Sequence, residues 1–349
     1  LIASQVLAKA SSVLAFAYVS LIREQKLDIK KRWPSSEQEL VEVRRFNKTL
    51  ARLPRFQVRN RLTPRLIQAL LRAAQIGRAL KPVKHDLRIE TTIVSTGNVP
   101  VSVRIIRPKG KPKGVVFDIH GGGWLIGNAQ MNDDLNIGIV NACNVAVVSV
   151  DYRLALSTPV EGLMDDCFSA ACWLLGSDCK EFAGLPVIVV GESAGGHLAA
   201  ATLLKLKARP DLLKRVVGTV LYYGVYDLTG TKSVRTAGPE TLVLDGPGMV
   251  GAMRLLAPDR SDEKRREPPL SPLYGDLTDL PPALMFVGEL DPLLDDTLEM
   301  AARWQNSADV EMHLLPESPH GFIHFPTALA RKVLARSHEW INARMEGRP

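Results

Sequence analysis

The sequence predicts an α/β fold: a mostly parallel central sheet covered by helices on both faces. Short apolar runs rich in Val and Ile alternate with stretches of helical periodicity through the last two thirds of the chain. Each run is apolar at successive positions rather than at every second one, which marks strands buried on both faces. At 349 residues with 46% hydrophobic content, the chain can fill one large core carrying an insertion or appendage.

Three amphipathic helices are expected before any strand, over residues 5–23, 36–53 and 65–80. The second opens on Ser36 with Glu39 three residues on, a capping box, and stops before Pro54. The third starts at Thr63-Pro64 and places Leu66, Leu70, Ala73 and Ile76 or Gly77 on one face. Such stripes need cover, so these helices are expected to pack on a partner helix pair or over the mouth of the domain that follows. From Asp86 the period becomes two: Leu87, Ile89, Thr91 and Ile93 alternate with polar residues, and a turn at Thr96-Gly97-Asn98 leads into a second run over 101–106. That is an antiparallel hairpin at a sheet edge.

Buried strands are then expected at 114–119, 145–150, 187–190, 216–223, 283–287 and 310–315. Helices should fall near 132–142, 162–176, 196–208, 296–306 and 327–344. Between Tyr226 and Pro282 the rhythm breaks into Gly/Pro-rich chain with one short helix near 249–256. A connection this long suits a lid or binding loop, giving a catalytic domain of 86–225 plus 283–349 and a lid of 226–282.

The chemistry centres on Gly191-Glu192-Ser193-Ala194-Gly195, between an apolar run and an Ala/Leu-rich helical pattern. Strand, sharp turn and helix would lift the Ser193 hydroxyl above the sheet edge. With 26 glycines in the chain, the bare pattern arises by chance in roughly one chain in ten, so its context must carry the argument. His120-Gly121-Gly122-Gly123-Trp124 follows another strand, and its glycines allow backbone amides to turn into one cavity. The amides of this loop and of Ala194 would form a three-donor oxyanion site, with His120 and Trp124 bracing the loop. A phosphate loop fits less well, because no Lys-Ser/Thr follows.

A serine nucleophile needs a histidine base held by a carboxylate, in the chain order Ser, acid, His. Asp291 and His320 each lie just past a strand end and fit those roles. Glu289 is the main competing acid, while Asp295 and Asp296 begin a helix and Asp165 and Asp166 read as a first-turn pair. His85, His197, His313, His324 and His338 lack supporting context. No metal spacing is present and no cofactor is expected.

Composition narrows the partners. The segment 23–84 holds 17 Lys/Arg against 5 Asp/Glu, but these charges interleave with apolar residues at helical spacing. Solvated helix faces are the better reading than a nucleic-acid groove. The apolar opening, 1–22, is interrupted by Lys9 and lacks a basic region before it, which favours an amphipathic helix and argues against membrane contact. Cys143, Cys167, Cys172 and Cys179 show no paired spacing and are expected as reduced core thiols in a cytoplasmic protein. The chain opens on Leu rather than Met, which leaves secretion open. Uncovered apolar helix faces suggest a homodimer.

Taken together, His120 to Trp124, Asp151-Tyr152-Arg153-Leu154-Ala155, Gly191 to Gly196, Ser271-Pro272-Leu273, Asp291-Pro292-Leu293 and His320-Gly321-Phe322 resemble the hormone-sensitive-lipase family of α/β-hydrolase esterases. The resemblance runs from about residue 86 to 345. It implies an α/β-hydrolase fold with a helical cap built from the N-terminal helices of residues 1–85 and the 226–282 insert, Ser193, Asp291 and His320 as catalytic triad, the amides of Gly122, Gly123 and Ala194 as oxyanion hole, and a small-molecule ester as substrate. Amidase, thioesterase, lipase and non-catalytic receptor are the alternatives on that scaffold. Glu192 stands where the family commonly has Asp, and Leu156-Ser157 replaces its usual Pro-Glu. Neither departure is expected to touch the chemistry.

Overall fold

The computed structural model describes residues 31–58, 62–79, 87–96, 99–155 and 157–347. The helix expected over 5–23 lies outside them. Among the described residues one sheet of nine strands forms the centre. The strands are β1 (Lys31–Arg32), β2 (Arg88–Thr96), β3 (Val99–Arg107), β4 (Val115–Ile119), β5 (Ala146–Asp151), β6 (Val187–Glu192), β7 (Val216–Tyr222), β8 (Ala283–Gly288) and β9 (Val310–Leu315). Their spatial order is β1-β9-β8-β7-β6-β4-β5-β3-β2. The hairpin β2–β3 is antiparallel and closes one edge, β3 joins β5 antiparallel, and every other pairing is parallel.

The sequence explains this layout. All five residues of β4 and all six of β6 are buried, as unbroken apolar runs require. Each fully buried Val or Ile contributes about 1.5–3 kcal/mol. The helices α3 (Asp133–Cys143) and α7 (Ala328–Met345) pack together on one face, while α4 (Val160–Leu175), α5 (Ala194–Leu206) and α6 (Leu294–Trp304) cover the other. Successive strands lie on opposite sides of β4: β5 on one flank, β6 on the other. The carboxyl edge at such a switch point is where α/β sheets leave a crevice. Asp118 of β4 is the polar exception in this core. Asn136 and Ser149 each donate to it at 2.9 Å, and burial pushes its carboxyl up to about 6.

The N-terminal helices are α1 (Glu37–Leu50) and α2 (Leu62–Ala79). The capping box is present in α1: Ser36 Oγ accepts from the Glu39 amide, and the Glu39 carboxylate accepts from the Ser36 amide at 2.8 Å. Three of the expectations are corrected. A strand does precede these helices, since Lys31–Arg32 pairs in parallel with β9; two residues are too few to show a period in sequence. In α2, Leu66 and Leu70 are 64% and 62% exposed. The face turned inward carries Gln68 instead, whose amide accepts from the Gly127 N–H at 2.7 Å and donates to the Gly127 carbonyl at 3.0 Å. Leaving that backbone pair unsatisfied in the interior would cost about 1–3 kcal/mol per group. Finally, α4 starts at Val160, so Asp165 and Asp166 sit in its second turn; Asp166 holds the Arg153 guanidinium at 2.7 Å.

Between β7 and β8 the chain forms the short helices Lys232–Arg235, Met249–Arg254 and Asp262–Arg266. Asp296 of α6 ties the start of this insert down, accepting from the Tyr226 and Asp227 amides at 2.6 and 3.0 Å and from the Thr231 hydroxyl at 2.6 Å. Phe56, from the segment between α1 and α2, bridges to Leu244 of the insert. All four cysteines are buried and free.

Candidate active site

Five strand ends converge on one rim of the sheet. The turn after β6 presents Ser193 in a conformation that L residues avoid, φ 52° and ψ −121°. Such strain costs about 1–3 kcal/mol and persists only where neighbours over-determine it. Here the Ser193 amide donates to the Tyr222 carbonyl at 2.9 Å, and the His197 amide donates to the Ser193 carbonyl at 3.2 Å. Gly195 is dictated by close approach, because a Cβ there would run into the Ile119 carbonyl at the end of β4. The nucleophile turn and the glycine loop are thereby pressed together.

His320, past β9, lies with Nε2 at 2.9 Å from Ser193 Oγ. Its Nδ1 lies 2.8 Å from Asp291 Oδ2, past β8. The other oxygen of Asp291 accepts from the Leu293 amide at 2.9 Å, so the carboxylate is fixed at both ends. Both side chains are buried, and the Tyr223 ring stands edge-on to the imidazole with centroids 4.6 Å apart. The competing acids go elsewhere. Glu289 pairs with Arg32 at 2.7 Å, and Asp295 accepts from the Ser233 amide at 2.8 Å.

The loop after β4 turns through three successive left-handed residues, Gly122, Gly123 and Trp124, with φ of 105°, 59° and 62°. The Leu125 and Ile126 amides close onto the Gly122 carbonyl at 3.2 and 3.1 Å. A Cβ at Gly122 would strike the Ile126 carbonyl, so only glycine fits. Gly122 and Gly123 line the same cavity as Ser193 and His320. Ala194 opens α5, where first-turn amides have no partner within the helix. His120 stacks on Tyr152 with centroids 4.2 Å apart and its Nδ1–H donates to the Gly121 carbonyl at 2.8 Å. Trp124 Nε1 donates to His197 Nδ1 at 3.1 Å, and His197 Nε2 in turn donates to the Leu270 carbonyl at 2.8 Å. Burial lowers His197 to about 4, which keeps it neutral and leaves Nδ1 free to accept.

Residues 116–324 match the model of a family described as having the α/β-hydrolase fold. The chain is 33% identical over 214 residues to an arylesterase of Saccharolobus solfataricus, spanning 59% of this chain and 67% of that one. It is 31% identical over 250 residues to carboxylesterase NlhH of Mycobacterium tuberculosis, covering 69% and 77% respectively. The chain belongs to the hormone-sensitive-lipase family of α/β hydrolases. Among solved structures it resembles the hyperthermophilic esterase of Pyrobaculum calidifontis, with a TM-score of 0.74 and 27% identity over 85% of this chain and 97% of that one.

In this hydrolase the space above Ser193 is a cavity of about 490 Å³. Its walls are mainly apolar, with Phe56 from the N-terminal segment, Trp124 from the glycine loop, and Val243, Leu244, Met249 and Met253 from the insert. Of the insert, residues 243–253 supply the wall, whereas Leu228, Thr229 and Ser271 are buried in the body of the domain. The helix α2 clamps the far end of the glycine loop through Gln68 and through a reciprocal amide pair of Gln75 and Asn128, at 2.7 and 2.8 Å.

Sequence reasoning passed over three residues beside the site. His197 supports Trp124, as described. Tyr223, at φ 40°, flanks His320. His324 pairs with Glu192 at 2.7 Å, so the glutamate beside Ser193 does contact the segment that follows His320. Only Glu192, as a departure from the family pattern, carried a signal in the sequence.

Proposed function

We propose that this hydrolase cleaves small to medium carboxylic esters through an acyl-enzyme on Ser193. The hydrogen-bonded chain Ser193–His320–Asp291 carries the reading. His320 Nε2 takes the hydroxyl proton as Ser193 Oγ attacks the ester carbonyl, and the imidazolium that forms is stabilised and oriented by Asp291. The oxyanion is received by the amides of Gly122, Gly123 and Ala194; one such donor is worth about 2.7–4 kcal/mol in the transition state. His320 then returns the proton to the leaving alcohol. Water, activated by the same imidazole, hydrolyses the acyl-enzyme and restores the serine.

The esterase names of the relatives support this class, and the apolar cavity supports an ester whose acyl or alcohol portion is apolar. We assign residues 86–225 and 283–349, with the edge strand Lys31–Arg32, to the catalytic domain, and Phe56 with the 243–253 stretch of the insert to the cover of the site. The place of both in the cavity wall is the observation behind that division.

The test is a series of p-nitrophenyl esters of increasing acyl length, run beside the matching p-nitroanilides and a triglyceride emulsion. Short to medium esters should give the highest kcat/KM, with anilides and emulsion slower by at least about tenfold, a difference of about 1.4 kcal/mol in barrier. Preference for the anilides would make the enzyme an amidase. Binding of these esters without turnover would make it a receptor.

A further inference from the structure

Behind Ser193 lies a charged group that the proposed reaction does not use. Glu192 ends β6 and is buried. It accepts from the Tyr223 hydroxyl at 3.0 Å and from His324 Nε2 at 2.7 Å. On its other side the carboxylate packs against Gly121 of the glycine loop, and its Oε1 finds no hydrogen-bond partner among the described residues. One carboxylate therefore touches the glycine loop, the residue that flanks the His320 ring and the segment following His320, while itself preceding the nucleophile. His324 is 39% exposed and lines the substrate cavity, so solvent can exchange its proton.

Resting on ester hydrolysis at Ser193, we propose that the Glu192–His324 ion pair is a positioning device that holds the glycine loop, the nucleophile turn and the histidine loop in register while His324 carries its proton. A buried carboxylate with a charged partner is well compensated; with the partner neutral, it keeps its charge in a poorly solvating site and leans on the Tyr223 hydroxyl instead. Tyr223 stands against the His320 ring, so strain there is felt at the reacting atoms. A shift of an ångström in such a site can cost up to about 10²-fold in rate.

The pH dependence has a definite sign. Burial lowers His324, but the adjacent Glu192 carboxylate outweighs it and raises the imidazole above the ordinary histidine value. Burial likewise opposes the Glu192 anion, yet His324 and Tyr223 hold it down to about 2. The pair is thus fully formed below the ordinary histidine range and is lost as pH rises through the raised His324 value, with Glu192 charged throughout. The other titratable groups around it are Asp118 from β4, His120 of the glycine loop with Tyr152 stacked on it, Tyr222 and Tyr223 from the end of β7, His338 from α7 and His320 of its own loop. Burial lowers His120 and His338 and raises the three tyrosines, which keeps these five neutral near neutral pH.

The experiment is kcat against pH for hydrolysis of a short p-nitrophenyl ester by the native chain, His324→Gln and Glu192→Gln, with the uncatalysed rate subtracted. A glutamine at 324 can donate to Glu192 at any pH but cannot titrate. In the native chain kcat should fall at least about fivefold across the alkaline range, a loss within the scale set by misaligned catalytic groups. In His324→Gln that limb should flatten to less than about twofold, while the acid limb stays where it was. Histidine NMR of His324 should show its titration moving down by about one unit or more in Glu192→Gln, the size of a lost charged neighbour. A His324→Gln profile parallel to the native one, merely scaled, would reduce the pair to a structural contact and overturn the inference. If the native chain hydrolysed no ester, the underlying reading would fall and the inference with it; hydrolysis with an unaltered alkaline limb removes the inference alone.

Discussion

Ser193→Ala is expected to lower kcat for ester hydrolysis by a factor on the order of 10⁴ to 10⁶, leaving KM within a few-fold of native. The hydroxyl is the atom that forms the covalent bond, and the surrounding turn does not depend on it. The Ser193 amide and carbonyl are held by Tyr222 and His197, and the side chain makes no helix-capping hydrogen bond. Alanine therefore removes the nucleophile and leaves a folded protein with the same cavity. Steady-state kinetics alongside a thermal melt check this: a variant with an unchanged melt and native-like kcat would remove Ser193 from the mechanism.

Asp291→Asn is expected to be nearly as damaging, about 10⁴-fold in kcat, without loss of the fold. The reason lies in the second oxygen. Oδ1 of Asp291 accepts from the Leu293 amide at 2.9 Å, so an asparagine must place its carbonyl oxygen there. Its NH₂ group is then aimed at His320 Nδ1, where the carboxylate oxygen lay at 2.8 Å. That nitrogen must accept, the imidazole proton moves to Nε2, and the ring can no longer take the serine proton. Glu289 cannot substitute, being paired with Arg32 and bonded to the Glu317 amide. Kinetics of Asp291→Asn beside Asp291→Ala separate tautomer from charge. Retention of more than about a tenth of native kcat in the asparagine variant would mean that the carboxylate does not set the tautomer.

Those two residues were legible in sequence because each sits in a short local pattern just beyond an apolar run. A strand end followed by a tight loop fixes where a side chain emerges, whatever the rest of the chain does. The parallel sheet was legible for a related reason: runs such as Val115–Ile119 and Val187–Glu192 are apolar but for Asp118 and Glu192 and need cover on both faces. What could not be read depended on partners far along the chain. The stripe of Leu66 and Leu70 looked like a buried face, but the orientation of α2 follows from Gln68 meeting Gly127, 59 residues away. His197 counted as helix filler until Trp124, 73 residues earlier, supplied its hydrogen bond. Glu192 and His324 are 132 residues apart; Glu192 stands out only as a departure from the family pattern, and His324 has no local pattern. The two residues of β1 are strand only because the edge of β9 is there to receive them.

Mass spectrometry of the native chain after treatment with a reactive organophosphonate bears most directly on the central claim, that one serine at the rim of the sheet is activated by His320. The account predicts a single stoichiometric adduct on the peptide containing Ser193, formed with loss of activity and slowed by at least about 10³-fold in His320→Ala, the scale on which a general base acts. An adduct on another residue, or labelling of Ser193 at the native rate without the imidazole, would contradict it.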